Sequence, residues 1–241
     1  MISRDEGLLH ARLKRFQRQI DRSREIIQAS LEEFDKPYVA FSGGKDSIVT
    51  LELVREQAPN IPAIFFDAAC SYPETYEVIA AYAERGPGMR RLQTEPFLET
   101  LKEFGIDHPN IGGITRATTV EEPTIKLQNE EGFDSVFLGL RAQESRDRTL
   151  LAATKGPIYF SESDGMIKSC PVLYWSDADI WAFIHSQDLP YNRAYDKGID
   201  RISYYAGTTN IRRGRWLELK RHWPGLFNRF AAEFPEVTQY V

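Results

Sequence analysis

Apolar positions near the start of the chain outline a helix. Leu9, Leu13, Phe16, Ile20, Ile27, Leu31 and Phe34 recur at intervals of 4, 3, 4, 7, 4 and 3 residues, the spacing of one face of a long helix. Pro37 ends the pattern, because its ring and missing N–H cannot be accommodated inside a helix. Along the outer side run Arg12, Lys14, Arg15, Arg18, Arg22 and Arg24, opposed by Asp21. Such a basic side serves as a solvated face, a dimer contact or a nucleic-acid contact. Beyond Pro37 short apolar runs alternate with amphipathic stretches, which predicts strands at 38–41, 63–67, 90–93 and 136–140 and helices at 46–57, 73–85, 96–104 and 121–131. This βαβα alternation predicts an α/β fold, an open and mostly parallel twisted sheet with helices on both faces. Further on, a hairpin is expected at 158–160 and 166–170 around Asp164-Gly165, a favoured tight-turn pair. Ser176 with Asp179 resembles a capping box that opens a helix through Ile184, and an aromatic-rich helical tail follows. The expected division is an N-terminal helical arm (1–36), an α/β core (37–150) and a C-terminal lobe (151–241) closing over it.

Composition narrows the class. At 241 residues, with 42% hydrophobic and 27% charged side chains, the chain suits one generous globular domain or a domain with an appendage rather than a disordered polymer. Cys70 and Cys170 are too few for a disulfide framework, or for holding zinc or an iron–sulfur cluster by cysteine alone. They point to a reducing cytosol. No apolar run approaches the 18 or more residues of a membrane span, and residues 1–6 lack a signal-peptide core, so no membrane insertion and a cytoplasmic location are expected. A net charge of −5 argues against general coating of nucleic acid and leaves room for a local basic groove.

The chemistry concentrates in Val39-Ala40-Phe41-Ser42-Gly43-Gly44-Lys45-Asp46-Ser47, a strand running into a glycine pair and then a helix. Two glycines permit a tight turn in which successive N–H groups and the helix N-terminus converge on an anion, most naturally a phosphate. Ser42 and Ser47 add hydroxyls and Lys45 a positive charge. The common Walker loop is excluded: Asp46 follows the lysine, and Val39, Ala40 and Phe41 stand where its first glycine is needed.

Ser42-Gly43-Gly44-Lys45-Asp46-Ser47 after a strand resembles the PP-loop of ATP pyrophosphatases, and the surrounding pattern resembles the phosphoadenosine-phosphosulfate (PAPS) reductase family. Three further segments carry the resemblance. Phe66-Asp67 and Tyr72-Pro73-Glu74-Thr75-Tyr76 look like the family's strand-two aspartate and its following turn and helix. Gly139-Leu140-Arg141-Ala142-Gln143-Glu144-Ser145-Arg146 resembles its Gly-x-Arg-x-x-Glu-Ser-x-Arg element. The stretch from Cys170-Pro171 to Asp179-Ile180-Trp181, followed by Leu189-Pro190-Tyr191-Asn192, is similar to its Trp-containing and Leu-Pro-Tyr motifs. The likeness runs from about residue 38 to residue 200.

The resemblance implies ATP at the carboxyl ends of the strands and cleavage between its α- and β-phosphates. Lys45, Asp46 and Arg141 form the expected catalytic set, with Lys45 and Mg²⁺ neutralising the leaving pyrophosphate. Asp46 either holds that metal or caps the helix. Ser42, Gly43, Gly44, Ser47, Asp67 and Arg146 are the further nucleotide contacts, Asp67 being alternatively an ordinary strand-end turn. Guanidiniums clamp phosphate or sulfate in pairs. Glu144, Arg148, Arg212, Arg213 and Arg215 are accordingly assigned to the substrate side, where a salt-bridged helix and a surface loop are the alternatives. Family reductases end in a Glu-Cys-Gly-x-His segment, whereas this sequence has no cysteine after Cys170, which disfavours thiol-dependent PAPS reduction. Cys70 is a persulfide carrier or a bystander. The implied activity is adenylylation of an acceptor for sulfur incorporation, in DNA phosphorothioation with a cysteine desulfurase, by a homodimer. A sulfate adenylyltransferase small-subunit-like activity and a non-catalytic nucleotide- or DNA-binding module are the alternatives.

Overall fold

Short apolar runs form the central strands, which are covered on both faces, the condition under which parallel sheets are stable; the edge strands at 89–93 and 158–161 are only partly buried. In the computed structural model, which describes residues 2–202 and 214–241, the strands are β1 (Pro37–Ala40), β2 (Ala63–Asp67), β3 (Met89–Gln93), β4 (Ser135–Phe137), β5 (Ile158–Ser161) and β6 (Met166–Ser169). They make one sheet in the order β3-β2-β1-β4-β6-β5. β1 runs parallel to β2 (Val39 opposite Ala63) and to β4 (Tyr38 opposite Val136), and β4 runs parallel to β6 (Val136 opposite Lys168). β5 alone is antiparallel, paired with β6 as the expected hairpin.

The helices are α1 (Arg4–His10), α2 (Lys14–Glu33), α3 (Lys45–Arg55), α4 (Pro73–Arg85), α5 (Phe97–Phe104), α6 (Ile111–Arg116), α7 (Glu122–Glu131), α8 (Arg146–Thr154), α9 (Asp177–Ser186), α10 (Arg215–His222) and α11 (Pro224–Glu233). Strand alternation divides the packing between the two faces. Val39, Ala63, Phe65 and Phe137 pack with Phe16 and Ile27 of α2, Ile48 and Leu51 of α3, Val78 and Tyr82 of α4 and Trp181 of α9. Tyr38, Ile64 and Val136 point the other way, onto Leu127 of α7, Phe133 and Met166. A further cluster joins Ala68, Cys70 and Phe97 to Trp216, Trp223 and Phe230 of the C-terminal helices, where Tyr72 stacks on Trp223 at 3.9 Å between centroids.

Two local expectations need correction. The single long N-terminal helix is two helices: α1 has its own capping box from Ser3 and Glu6, and the chain breaks at residues 11–13 before Leu13 caps α2. Leu9 and Leu13 therefore leave the buried face and are exposed. The interval of seven between Ile20 and Ile27 is filled by Ser23, whose hydroxyl donates to the Pro171 carbonyl at 2.8 Å and accepts from the Trp175 indole N–H at 2.9 Å. Strand four stops at Phe137 rather than Leu140: Leu138 N–H still donates to the Ser169 carbonyl at 2.8 Å, and at Gly139 the chain runs against the first turn of α3. The capping box at Ser176 and Asp179 is present at the start of α9. No helix among the described residues is long and apolar enough to cross a membrane.

Candidate active site

From the central β1 the chain moves to β2 and β3 on one side, while β4 and β6 lie on the other. The carboxyl ends of β1 and β4 thus mark the point where strand order reverses, the usual ligand crevice of an open α/β sheet. After β1 the chain turns at Gly43, whose φ of +70° is a left-handed conformation that only glycine adopts without strain. Gly44 caps α3 without any side-chain bond to the helix N–H groups, leaving these donors directed at the crevice. Among the described residues, Lys45 N–H meets the Tyr195 hydroxyl at 3.3 Å. The loop is fastened by its serines: Ser42 N–H donates to Ser47 Oγ at 3.2 Å, Gly44 N–H to Ser42 Oγ at 3.3 Å, and Ser47 Oγ–H to the Gly44 carbonyl at 2.9 Å.

The segment after β4 reaches this loop through a glycine. A Cβ on Gly139 would lie 2.6 Å from the Asp46 carbonyl carbon and from Ser47 N, so the two backbones touch where any side chain would part them. Two residues on, buried Arg141 donates from Nε to Asp46 Oδ1 at 2.5 Å and from Nη2 to Asp177 Oδ1 at 3.2 Å. Buried Lys45 lies 3.2 Å from Asp46 Oδ2 and 3.4 Å from Asp177 Oδ1. The three expected catalytic side chains therefore converge. Glu144 accepts from Arg141 N–H at 2.9 Å and pairs with Arg148, while its carbonyl accepts from Arg201 at 2.7 Å. Arg146 opens α8 and is exposed.

Other expected residues stand elsewhere or are already committed. Asp67 is fully buried and accepts from Ala69 N–H (2.8 Å), the Tyr76 hydroxyl (2.9 Å), Arg91 (2.5 Å) and Gln93 (3.1 Å). Burial works against its charge, but these donors prevail and hold its carboxyl below the usual range. It ends β2 and fastens the turn that follows through Ala69 N–H, buried among its partners. Arg215 is likewise buried, bonded to Asp200 at 2.5 Å and Glu218 at 2.8 Å, and ties α10 to the preceding chain instead of facing the site mouth. Arg212 and Arg213 lie outside the described residues. Cys70 and Cys170 are both buried and free, and burial pushes each thiol up, Cys170 to about 12. Neither is poised as a thiolate nucleophile.

Three residues of the site escaped sequence reasoning. Asp177 stands in the first turn of α9, one residue past the cap that was legible. Tyr195 is buried with its ring 5.4 Å from Lys45 Nζ, and burial followed by the Asp46 charge pushes its hydroxyl well up. Arg201 reaches back to Glu144. Only the proximity of Asp177 to the Trp-containing motif offered a signal. Separately, a cavity of about 350 Å³ between α4 and α9, lined by Val78, Ile184, His185 and Tyr191 among others, contains none of the loop residues.

A glycine loop opening a helix at the switch point of a mostly parallel sheet, with lysine and arginine at its mouth, defines a protein of the adenine nucleotide α-hydrolase-like fold. The sequence profile of the phosphoadenosine phosphosulfate reductase domain matches residues 36–209, and the chain belongs to that family. An uncharacterized protein of Methanocaldococcus jannaschii is 31% identical over 211 residues, covering 85% of this chain and only 43% of its own length. An adenosine 5'-phosphosulfate reductase of Geobacillus kaustophilus is 27% identical, covering 80% of this chain and 84% of the relative. Among solved structures, the PAPS reductase of Candida auris in a phosphate complex superposes with a TM-score of 0.61 at 23% identity, covering 76% of this chain and 88% of that one. The FMN adenylyltransferase of Candida glabrata in complex with ATP also gives 0.61, at 16% identity over 83% and 68%. These two likenesses are of fold.

Proposed function

We propose that the chain is an ATP pyrophosphatase that adenylylates an acceptor for sulfur incorporation, in DNA phosphorothioation with a cysteine desulfurase as sulfur donor. The convergence of Lys45 and Arg141 on the mouth of the Ser42–Ser47 loop carries this reading, because it sets two buried cations beside a row of helix N–H donors. In the reaction an acceptor oxygen attacks the α-phosphorus, the bond to the bridging oxygen breaks, and pyrophosphate leaves with the electron pair. The loop and Lys45 hold the leaving pyrophosphate and Arg141 steadies the charge that builds in the transition state. Mg²⁺ is a hard cation commonly held by one or two carboxylates with substrate oxygens. Asp46 would hold it only by giving up a contact with Lys45 or Arg141, since both of its oxygens are paired with them. Arg146, exposed at the start of α8, adds a cation for a polyanionic acceptor.

The likeness to adenosine 5'-phosphosulfate reductases favours a second reading, a sulfonucleotide in the same crevice. Against thiol-dependent reduction by this chain stand the two buried thiols, both disfavoured as thiolates. Pyrophosphate release from MgATP, with and without desulfurase, cysteine and duplex DNA, decides between them, alongside sulfite release from adenosine 5'-phosphosulfate and a dithiol. The proposal expects pyrophosphate and no sulfite, with release abolished in a folded Lys45→Ala variant. Sulfite without pyrophosphate, or full activity in Lys45→Ala, would overturn it.

A further inference from the structure

Four charged side chains at the site mouth form a closed ring in which each cation meets both carboxylates. Asp46, whose side chain is 14% exposed, lies 2.5 Å from Arg141 and 3.2 Å from Lys45. Asp177, 50% exposed, reaches the same two cations at 3.2 and 3.4 Å. The formal charge of the ring is zero. A phosphate oxygen that contacts both Lys45 and Arg141 from the solvent side must therefore take the place that Asp177 Oδ1 fills, since carboxylate and phosphate present the same kind of acceptor edge to a guanidinium. Of the two carboxylates, Asp177 is the one that can leave. Its contacts are longer, its side chain already borders water, and it sits in the first turn of α9, where a released carboxylate remains favourably placed against the helix dipole.

We infer that Asp177 is a specificity-determining residue, a resident anion on the phosphate subsite that an incoming phosphate chain has to displace. The inference rests on the nucleotide reading above. A lone orthophosphate or sulfate gains two cation contacts only by costing Asp177 the same two, so its net gain is small. A pyrophosphate or triphosphate chain also reaches the helix N–H donors and the exposed Ser42 hydroxyl, which Asp177 does not touch. The ring thus selects polyphosphate chains over single anions.

Calorimetric titration of the full chain with inorganic pyrophosphate and with orthophosphate, at about 50 mM and about 500 mM salt, tests this. Asp177→Asn is expected to bind both anions about fivefold to tenfold more tightly at low salt, the Coulomb effect of one neighbouring charge in a wet site. The gain should be at least as large for pyrophosphate as for orthophosphate, since each displaces the same carboxylate and pyrophosphate carries more charge, and it should shrink at high salt. Asp177→Glu, which keeps the charge, should stay close to the parent, and Asp177→Ser provides a second neutral variant should the amide perturb folding. Equal or weaker binding in the neutral variants, with the parent binding pyrophosphate, overturns the inference alone: Asp177 would then be positioning the cations. Failure of the parent to bind pyrophosphate or ATP, or binding unaffected by Lys45→Ala, removes the nucleotide reading and this inference with it.

Discussion

Gly139→Ala should damage the site from outside it. The added Cβ would stand 2.6 Å from two backbone atoms of the first turn of α3, whereas ordinary contacts begin near 3.4 Å. The segment after β4 must then retreat by about 0.8 Å, because helix backbone has no flexible end to give way. Overpacking of this kind costs about 2–3 kcal/mol, equivalent in a chain of this size to a fall in Tm of about 4–12 °C. The same retreat carries Arg141 away from Asp46, where a separation of 2.5 Å leaves little slack. The charge-assisted bond that Arg141 would make to a phosphate oxygen is worth about 1.5–3 kcal/mol, so its displacement should lower MgATP affinity at least tenfold even where the variant is folded. Urea unfolding followed by circular dichroism gives the first quantity and calorimetric titration with MgATP the second. A parent-like midpoint with parent-like affinity would refute the reasoning, since it would show that the two backbones are not in contact. Lost stability with unchanged affinity would mean that the position of Arg141 does not govern binding.

Asp179 supports a pH prediction. Burial opposes its charge, but Ser176 and His10, whose Nε2 lies 2.6 Å away, hold its carboxyl below the usual range. A depressed folded-state value means that the stabilisation is fully present above the unfolded value, about 3.9, and is lost as pH falls through the folded one. Asp179→Asn should therefore lower unfolding stability at pH 7 by about 1–2 kcal/mol, and the gap to the parent should close below about pH 4; a gap that stays constant to pH 2.5 would refute this. For the thiols, Cys70→Ser and Cys170→Ser should leave pyrophosphate release intact while each costs about 1–3 kcal/mol for burying a hydroxyl. Ellman's reagent should label the native protein far more slowly than the unfolded chain, and rapid native labelling would show an accessible thiolate that the buried positions do not allow.

What could be read from the sequence and what could not separate along a physical line. β2 and α4 fall at their predicted bounds, and the hairpin and the cap of α9 at their predicted places, because local chemistry decides them: an apolar run, a proline at the start of a helix, Asp164-Gly165, a serine three residues before an aspartate. The loop and the arginine after β4 were legible because glycine pairs and guanidiniums have few other uses beside strand ends. The N-terminal helix reads as one because Leu9 and Leu13 keep the helical spacing across the break at residues 11–13 although both are exposed, while Ser23 fills a buried helical position with its hydroxyl taken up by Pro171 and Trp175. Periodicity counts that position as polar. Asp67, Arg215 and Asp177 show the same limit in the site. Residue type places a carboxylate at a strand end or a guanidinium at a helix start, but whether it faces ligand or protein depends on partners 24 or 15 residues away, such as Arg91 for Asp67 and Asp200 for Arg215. Asp177 is the converse case, an acid one residue past a cap that tertiary packing brings onto Lys45 and Arg141. A charged residue at the end of an element is thus a candidate by type, and its function is decided by whether the fold leaves it exposed, as at Arg146, or buried in ion pairs, as at Arg215.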